Sequence, residues 1–416
     1  MLKYLIAGTE SLIGPAVLLG LLFSYARRAY GEKGRNITAA GALLGILSAA
    51  VMAYLKNKTK HIDTGMWNLH IFAAWIGAFV IFAIADMKVF RKKDSPAQKL
   101  FVPVISAALS FGLLFYCLPD VMAYPYTIVL GGESVFSTGF LYRIIGLVLG
   151  ILLSVLAGTA VCSAGCRMEA GPLGIFTRTA LLVNGVQWFT KILQTLLTRR
   201  KISGKTIFRI VKFTSNHSSL FIYLILLSAA VIPLVLLLRS MNVNEPYENP
   251  AQHRKIKAKW RSVRRWSATV CLSFLLAVLN LTVVKAYANR PVELSPVEEC
   301  EVLGDSVRVP FEAVEDGHLH RFGYKTPNGK TVRFIVIRKP NSSSYGIGLD
   351  ACDICGETGY FERNGQIVCK LCDVVMNVNT IGFKGGCNPK VIEYRIENGQ
   401  IIVPTSTLIE HEGDFK

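Results

Sequence analysis

Eight long apolar runs dominate the first 288 of 416 residues, a pattern that a lipid-embedded bundle can bury and a water-soluble core of this size cannot. They lie at about 4–25, 37–55, 65–85, 101–118, 138–161, 171–195, 218–238 and 266–288. A helix crosses the hydrocarbon core of a bilayer with ~20 apolar residues. The runs therefore predict a polytopic α-helical membrane domain of about eight transmembrane helices over residues 1–288. The chain is 18% charged, where soluble domains carry about 25%, and its mean hydropathy is +0.40. The sixth run is broken by Arg178, Asn184, Gln187 and Lys191. It fits either a spanning helix that lines a polar interior or a helix lying in the interface.

Charge divides along the same boundary. Residues 290–416 hold 14 Lys+Arg against 18 Asp+Glu, whereas the rest holds 32 against 10. The excess of basic residues belongs to membrane loops, where it sets orientation; no basic stripe with interleaved aromatics speaks for nucleic acid. With eight spans and the N-terminus outside, the cytoplasmic loops contain Arg27, Arg28, Lys33, Arg35, Lys88, Arg91, Lys92, Lys93, Lys99 and the run Arg254 to Arg265. The C-terminal domain is then extracytoplasmic. One loop dissents, with Arg199, Arg200, Lys201, Lys205, Arg209 and Lys212 placed outside. Removing the sixth span would move the C-terminal domain to the cytoplasm.

Residues 289–305, with Pro291, Pro296 and clustered Glu, read as a linker to a mostly-β domain over 306–416. His318–Tyr324 and Thr331–Arg338 flank a Thr-Pro-Asn-Gly turn and predict a hairpin. Tyr345–Leu349 is a further strand, and Val391–Ile396 with Ile401–Val403 a second hairpin around Asn398-Gly399.

The chemistry concentrates in five cysteines of that domain: Cys352-x2-Cys355, Cys369-x2-Cys372, and Cys387 in Gly-Gly-Cys-Asn-Pro. Two CxxC turns at this separation carry a metal-site signature, each aiming two thiolates at one point. A thiolate cage suits an iron–sulfur cluster, copper or zinc; zinc would staple the domain and do no redox chemistry. Disulfides are the alternative for an exported domain. Cys387 is a fifth ligand, a replacement ligand or an exchanging thiol, and could also pair with Cys300.

Further candidates are weaker. His318 and His320 flank Leu319 at strand spacing, so both face one side and form a possible auxiliary metal pair. Glu10, His61, Asp63 and His70 are ionisable groups in or near the apolar runs and could line a cation path; Asp86 and Asp120 read as boundary residues. Cys162 and Cys166 share a helix face at i,i+4 and form a candidate thiol pair. No Gly-x-Ser-x-Gly, P-loop or dinucleotide fingerprint is present.

The stretches Asp316-Gly-His-Leu-His-Arg-Phe322, Val332-Arg-Phe334, Leu349-Asp-Ala-Cys-Asp-Ile-Cys-Gly356, Ile367-Val-Cys-Lys-Leu-Cys372, Asn379-Thr-Ile-Gly382 and Gly386-Cys-Asn-Pro389 together resemble a bacterial membrane-protein family described as Fe–S-containing. That resemblance implies a component of iron acquisition in the bacterial inner (cytoplasmic) membrane. Its implied partners are an iron permease or periplasmic iron/copper-binding proteins, and a homo-oligomer is compatible with it. The first helix faintly resembles the opening helix of the iron-permease superfamily, which uses Arg-Glu-x-x-Glu; only Glu10 corresponds here. The reading expected is a membrane component whose thiolate site relays electrons or metal for iron uptake. A metal-ion transporter using intramembrane Glu and His is one alternative. A zinc-stapled docking protein for a permease is the other.

Overall fold

A computed structural model describes residues 1–58, 62–85, 96–128, 138–241, 243, 245–290, 293–340, 342–363, 365–372, 374–383 and 387–415. His61, the basic residues Lys88 to Lys93, Asn364 and Gly386 lie outside the described residues. The chain divides into two compact units, Met1–Asn289 and Arg290–Lys416.

The first unit is helical: α1 (Leu2–Lys58), α2 (Thr64–Ala85), α3 (Pro96–Ile128), α4 (Thr138–Gly165), α5 (Ala170–Thr198), α6 (Lys205–Asn216), α7 (Ser218–Met241), α8 (Pro250–Leu279) and α9 (Lys285–Ala288), the last two joined by a π-helical turn over Asn280–Val284. Among the described residues, six helices are long and apolar enough to cross a membrane, with Leu2–Lys56 and Pro250–Ala288 each counted once. Two features account for the difference from eight. First, α1 carries two of the expected runs. Gly31 interrupts it in the left-handed region, at φ 72° and ψ −168°, a conformation that glycine adopts without a Cβ clash. Glu10 and Asp120 line one cavity, and Asp120 pairs with Lys56 at 3.1 Å. A straight helix would hold Glu10 and Lys56 about 70 Å apart, so the chain folds back at Gly31. Second, the 171–195 run forms α5, but its polar residues leave it short of the apolarity of a simple span.

Contacts between helix ends give the order of passes. At one end Lys56 meets Asp120, Asp63 meets Arg199, Lys285 meets Glu10, and Tyr223 bonds Leu281 O. At the other, Arg28 Nε donates to Met168 O at 2.8 Å, Arg239 meets Glu169, and Arg167 bonds Ser262. Among the described residues, the chain alternates between these ends through the two halves of α1, then α2, α3, α4, α5, α7 and α8–α9, eight traverses of the bundle. It leaves the bundle at the end where it began. α5 therefore runs through the bundle, burying Leu173, Thr177, Leu181, Asn184 and Trp188 on one face.

Small residues permit the closest approaches. A Cβ on Gly20 would strike the carbonyl of Gly158, one on Gly158 that of Ala16, and one on Gly41 that of Ala107. Helix association in lipid depends on such backbone proximity, because burial from water contributes little there. The basic loop that dissented from the orientation rule is partly helix α6. Lys205, Arg209 and Lys212 recur at one helical spacing, and Ile207, Ile210, Val211 and Thr214 at another. That is the pattern of an interfacial helix.

The second unit holds three antiparallel sheets: β1 (Glu301–Leu303), β2 (Ser306–Pro310), β10 (Gln400–Pro404) and β9 (Arg395–Glu397) in that order; β3 (His320–Lys325), β4 (Thr331–Arg338) and β5 (Tyr345–Leu349); and β6 (Tyr360–Arg363), β7 (Gln366–Cys369) and β8 (Val375–Met376). A short helix, α10 (Thr405–Glu410), follows β10. The hairpin around Asn328-Gly329 forms as expected, with Phe322 opposite Phe334. The second hairpin is shorter than expected, starting at Arg395. The expected 289–305 linker is largely structured: Glu298 N donates to Arg321 O at 2.7 Å, and Glu301–Leu303 pairs with β2. Strand β4 is buried on both faces. Phe334 and Val336 enter the main core with Phe322, Ile347 and Ile401. Ile335 and Ile337 enter a second cluster that contains Cys352, Tyr360, Cys369 and Met376.

Candidate metal centre

The cysteines stand on two tight turns and one loop. Cys352–Cys355 follows β5 directly. There, Cys352 N–H donates to Gly356 O and Gly356 N–H to Cys352 O, at 3.2 and 3.0 Å, with Gly356 at φ 66°. This closes the turn and aims the Cys355 N–H at Cys352 Sγ, 3.1 Å away. N–H···S bonds of this kind orient a metal ligand and stabilise negative charge on it. Cys369 ends β7, and its N–H donates to Val374 O at 3.0 Å, which closes the second turn.

The sulfurs converge. Cys352, Cys355 and Cys387 form one group with ligand atoms within 4.8 Å of one another; Cys355, Cys369 and Cys372 form another. Cys355 belongs to both, and Cys372 Sγ lies 3.6 Å from Cys387 Sγ. Four sulfurs around a tetrahedral ion with bonds of ~2.3 Å stand about 3.8 Å apart. Each group of three thus offers three thiolates at a spacing an ion accepts, and the two groups meet at Cys355 and again across Cys372 and Cys387. No disulfide joins the cysteines among the described residues. Cys352 and Cys369 are buried, Cys355 and Cys387 half-buried, and Cys372 exposed. Burial pushes the Cys355 and Cys369 thiols up, and takes Cys387 to about 11. Cys372 also feels burial, but hydrogen bonds from the Val374 N–H and the neighbouring thiols bring it below the ordinary thiol value. It is the easiest of these four to hold as thiolate. The middle residues of the two turns, Ile354 and Leu371, are exposed at 68% and 64%, placing an apolar rim at the site.

Three supporting residues were not singled out in the sequence. Tyr360 is buried and donates its hydroxyl to Cys387 O at 2.6 Å, tying the third cysteine segment to β6. Asp350, fully buried two residues before Cys352, accepts from Arg321 Nε, Arg333 Nε and Tyr360 N–H at 2.8, 3.2 and 2.9 Å. Arg321 is itself 1% exposed and also reaches Ser295 and the Tyr360 carbonyl. The only signal available was a charged residue within each apolar strand pattern.

The other candidates fall elsewhere. His318 and His320 do not converge as a metal pair. His318 Nδ1 faces Glu362, and both ring nitrogens of His320 face carboxylates, Glu298 at 2.9 Å and Asp316 at 2.8 Å. With both nitrogens committed, His320 has no lone pair to offer. Cys162 and Cys166 stand one helical turn apart at the end of α4, both half-buried, with Cys166 N–H donating to Cys162 O at 3.0 Å. Asp63 caps α2 through the N–H groups of Gly65 and Met66 and pairs with Arg199. His70 is exposed, with Nδ1 on Met66 O. Glu10 lies apart from both, paired with Lys285 at 3.1 Å, and shares its cavity with Asp120 rather than with His70.

Residues 314–415 match the family of FtrD-like membrane iron-sulfur containing proteins. This FtrD-like stretch contains all five converging cysteines together with Arg321, Asp350 and Tyr360. No curated protein and no solved structure matches the chain.

Proposed function

We propose that this chain is a multi-pass component of bacterial iron acquisition whose cysteine centre binds iron and relays electrons during uptake. The convergence of five cysteine sulfurs around Cys355 carries the reading. Four thiolates of this set would hold the ion, and the bound iron would supply one-electron redox chemistry. The chain's own groups do the rest. The Cys355 N–H holds the Cys352 sulfur in place, the Asp350–Arg321 pair fixes the strand behind it, and the exposed Ile354 and Leu371 exclude water where a partner would approach. The FtrD-like family's iron-sulfur description supports iron over zinc.

The distribution of charge supports one membrane orientation. Arg27, Arg28, Lys33, Arg35, Arg167, Arg239 and the basic start of α8 cluster at one end of the bundle. Basic loops face the cytoplasm, so that end is cytoplasmic in the inner membrane. The Met1 end, from which the chain enters the cysteine unit, faces outward. An iron permease or a periplasmic iron/copper-binding protein is the partner this placement serves. The transporter alternative is weakened by the pairing of Glu10 with Lys285 and Asp120 with Lys56, which leaves neither carboxylate free for a cation.

Iron uptake by cells that carry the Cys355→Ser chain in place of the natural one tests the role. Uptake should fall to the level of cells lacking the protein, while the variant persists in the membrane. Undiminished uptake by a metal-free variant would remove the redox reading and leave the docking one.

A further inference from the structure

The helical unit contains a second site, remote in sequence from the FtrD-like stretch. A cavity of about 200 Å³ opens in the outward half of the bundle, lined among others by Glu10, Tyr116, Asn184, Gln187, Trp188 and Lys191. Its charges do not favour a cation. Glu10 and Asp120 are each neutralised by a lysine. Lys191 Nζ donates to Tyr116 Oη at 2.8 Å and lies over the Tyr116 and Phe72 rings, and no carboxylate pairs with it among the described residues. An ammonium has three donors, so this bond leaves capacity unused. Asn184 is 3% exposed, and its Nδ2 has no partner. An unpaired buried donor is costly in an apolar interior. The cavity thus offers surplus donors and asks for oxygen acceptors.

The walls define the rest of the ligand. Tyr116 and Trp188 line it, with ring centroids 5.2 Å apart, and Phe72 and Trp75 pack on Trp188 in the core at 4.9 and 4.8 Å. This aromatic surface suits a flat ring. A cavity of ~150 Å³ already takes a benzene molecule, so 200 Å³ admits one ring with its oxygens. A flat ring that carries carbonyl acceptors and partitions into lipid is a quinone. We propose that this cavity binds the headgroup of a membrane-soluble quinone, with Lys191 and Asn184 donating to its carbonyl oxygens. The binding claim stands independently of the iron reading. If the relay is real, the quinone pool is its membrane-side redox partner.

Decylubiquinone and menadione, titrated separately against the full chain in quinone-free lipid nanodiscs by equilibrium dialysis, test it. The expected result is saturable one-site binding of at least one of them. Lys191→Met and Asn184→Leu should each weaken it by about tenfold, the effect of losing one good donor. Phe189→Ala, on the exposed face of the same helix, should leave it unchanged. Cys355→Ser should bind quinone normally whether or not the iron reading holds, which separates failure of the two claims. Absence of saturable binding of both quinones by the natural chain would overturn the proposal, whatever the folding of the variants. So would unchanged affinity in both donor variants.

Discussion

Cys355 is the one sulfur shared by both groups of the centre, so single substitutions there should differ from those at the periphery. Cys355→Ser should remove most of the bound metal, whereas Cys387→Ser should retain more of it, because the Cys355, Cys369 and Cys372 group stays intact. Metal-to-protein ratios on the full-length variants check this. Behind the sulfurs, Asp350 is fully buried between two arginines, one of them Arg321 at 1% exposure. Removing one partner of a buried pair leaves an uncompensated charge, at a cost of roughly 3–5 kcal/mol. Asp350→Asn should therefore destabilise the C-terminal unit by that order, read as earlier loss of its hydrogen-exchange protection while the helical unit keeps its own. The cysteines were legible in the sequence because spacing alone encodes a metal knuckle. Asp350 and Arg321 were not, because their pairing joins strands distant in sequence and only the fold brings them together. The histidine pair misled for the same reason: strand spacing gives a shared face but says nothing of the carboxylates opposite.

Among the elements, the segment before β1 is held partly by a titratable clamp. Glu298 bridges to β3 through its backbone and through His320. Burial lowers the affinity of the His320 ring for its proton, but hydrogen bonds to Asp316 and Glu298 and their charges outweigh it, so its pKa is raised. A group with a raised folded pKa gives stability that is complete below the unfolded value of ~6.5 and is lost as pH rises through the folded one. Hydrogen exchange in residues 293–300 should accordingly quicken as pH rises above about 6.5, after correction for intrinsic rates. His320→Gln should remove that dependence. The linker expectation missed this clamp because prolines and clustered glutamates read alike in a free tether and in a docked one. Helix α1 shows the opposite case: two apolar runs were legible, and Gly31 was the hinge, yet one glycine among many gives no signal of reversal. At Gly20, where the two backbones touch, Gly20→Leu should prevent α1 and α4 from closing and should lower the yield of monodisperse protein.

For the whole molecule, eight traverses of the bundle return the chain to its starting end, and three of the four polar residues that weakened the sixth run line the cavity. Asn184, Gln187 and Lys191 interrupted a hydropathy profile because they face a site rather than lipid. The orientation predicts that a membrane-impermeant thiol reagent added outside intact spheroplasts labels Cys372 of metal-depleted chain, while Cys166 reacts only after the membrane is opened. The reverse pattern would place the cysteine unit in the cytoplasm. The central claim is that the converging thiolates hold redox-active iron. Elemental analysis with EPR, on the full chain isolated anaerobically from its native membrane, tests it most directly. About one iron per chain, EPR-active in one oxidation state and lost in Cys355→Ser, is the predicted result. Stoichiometric zinc with no iron signal in either oxidation state would contradict it.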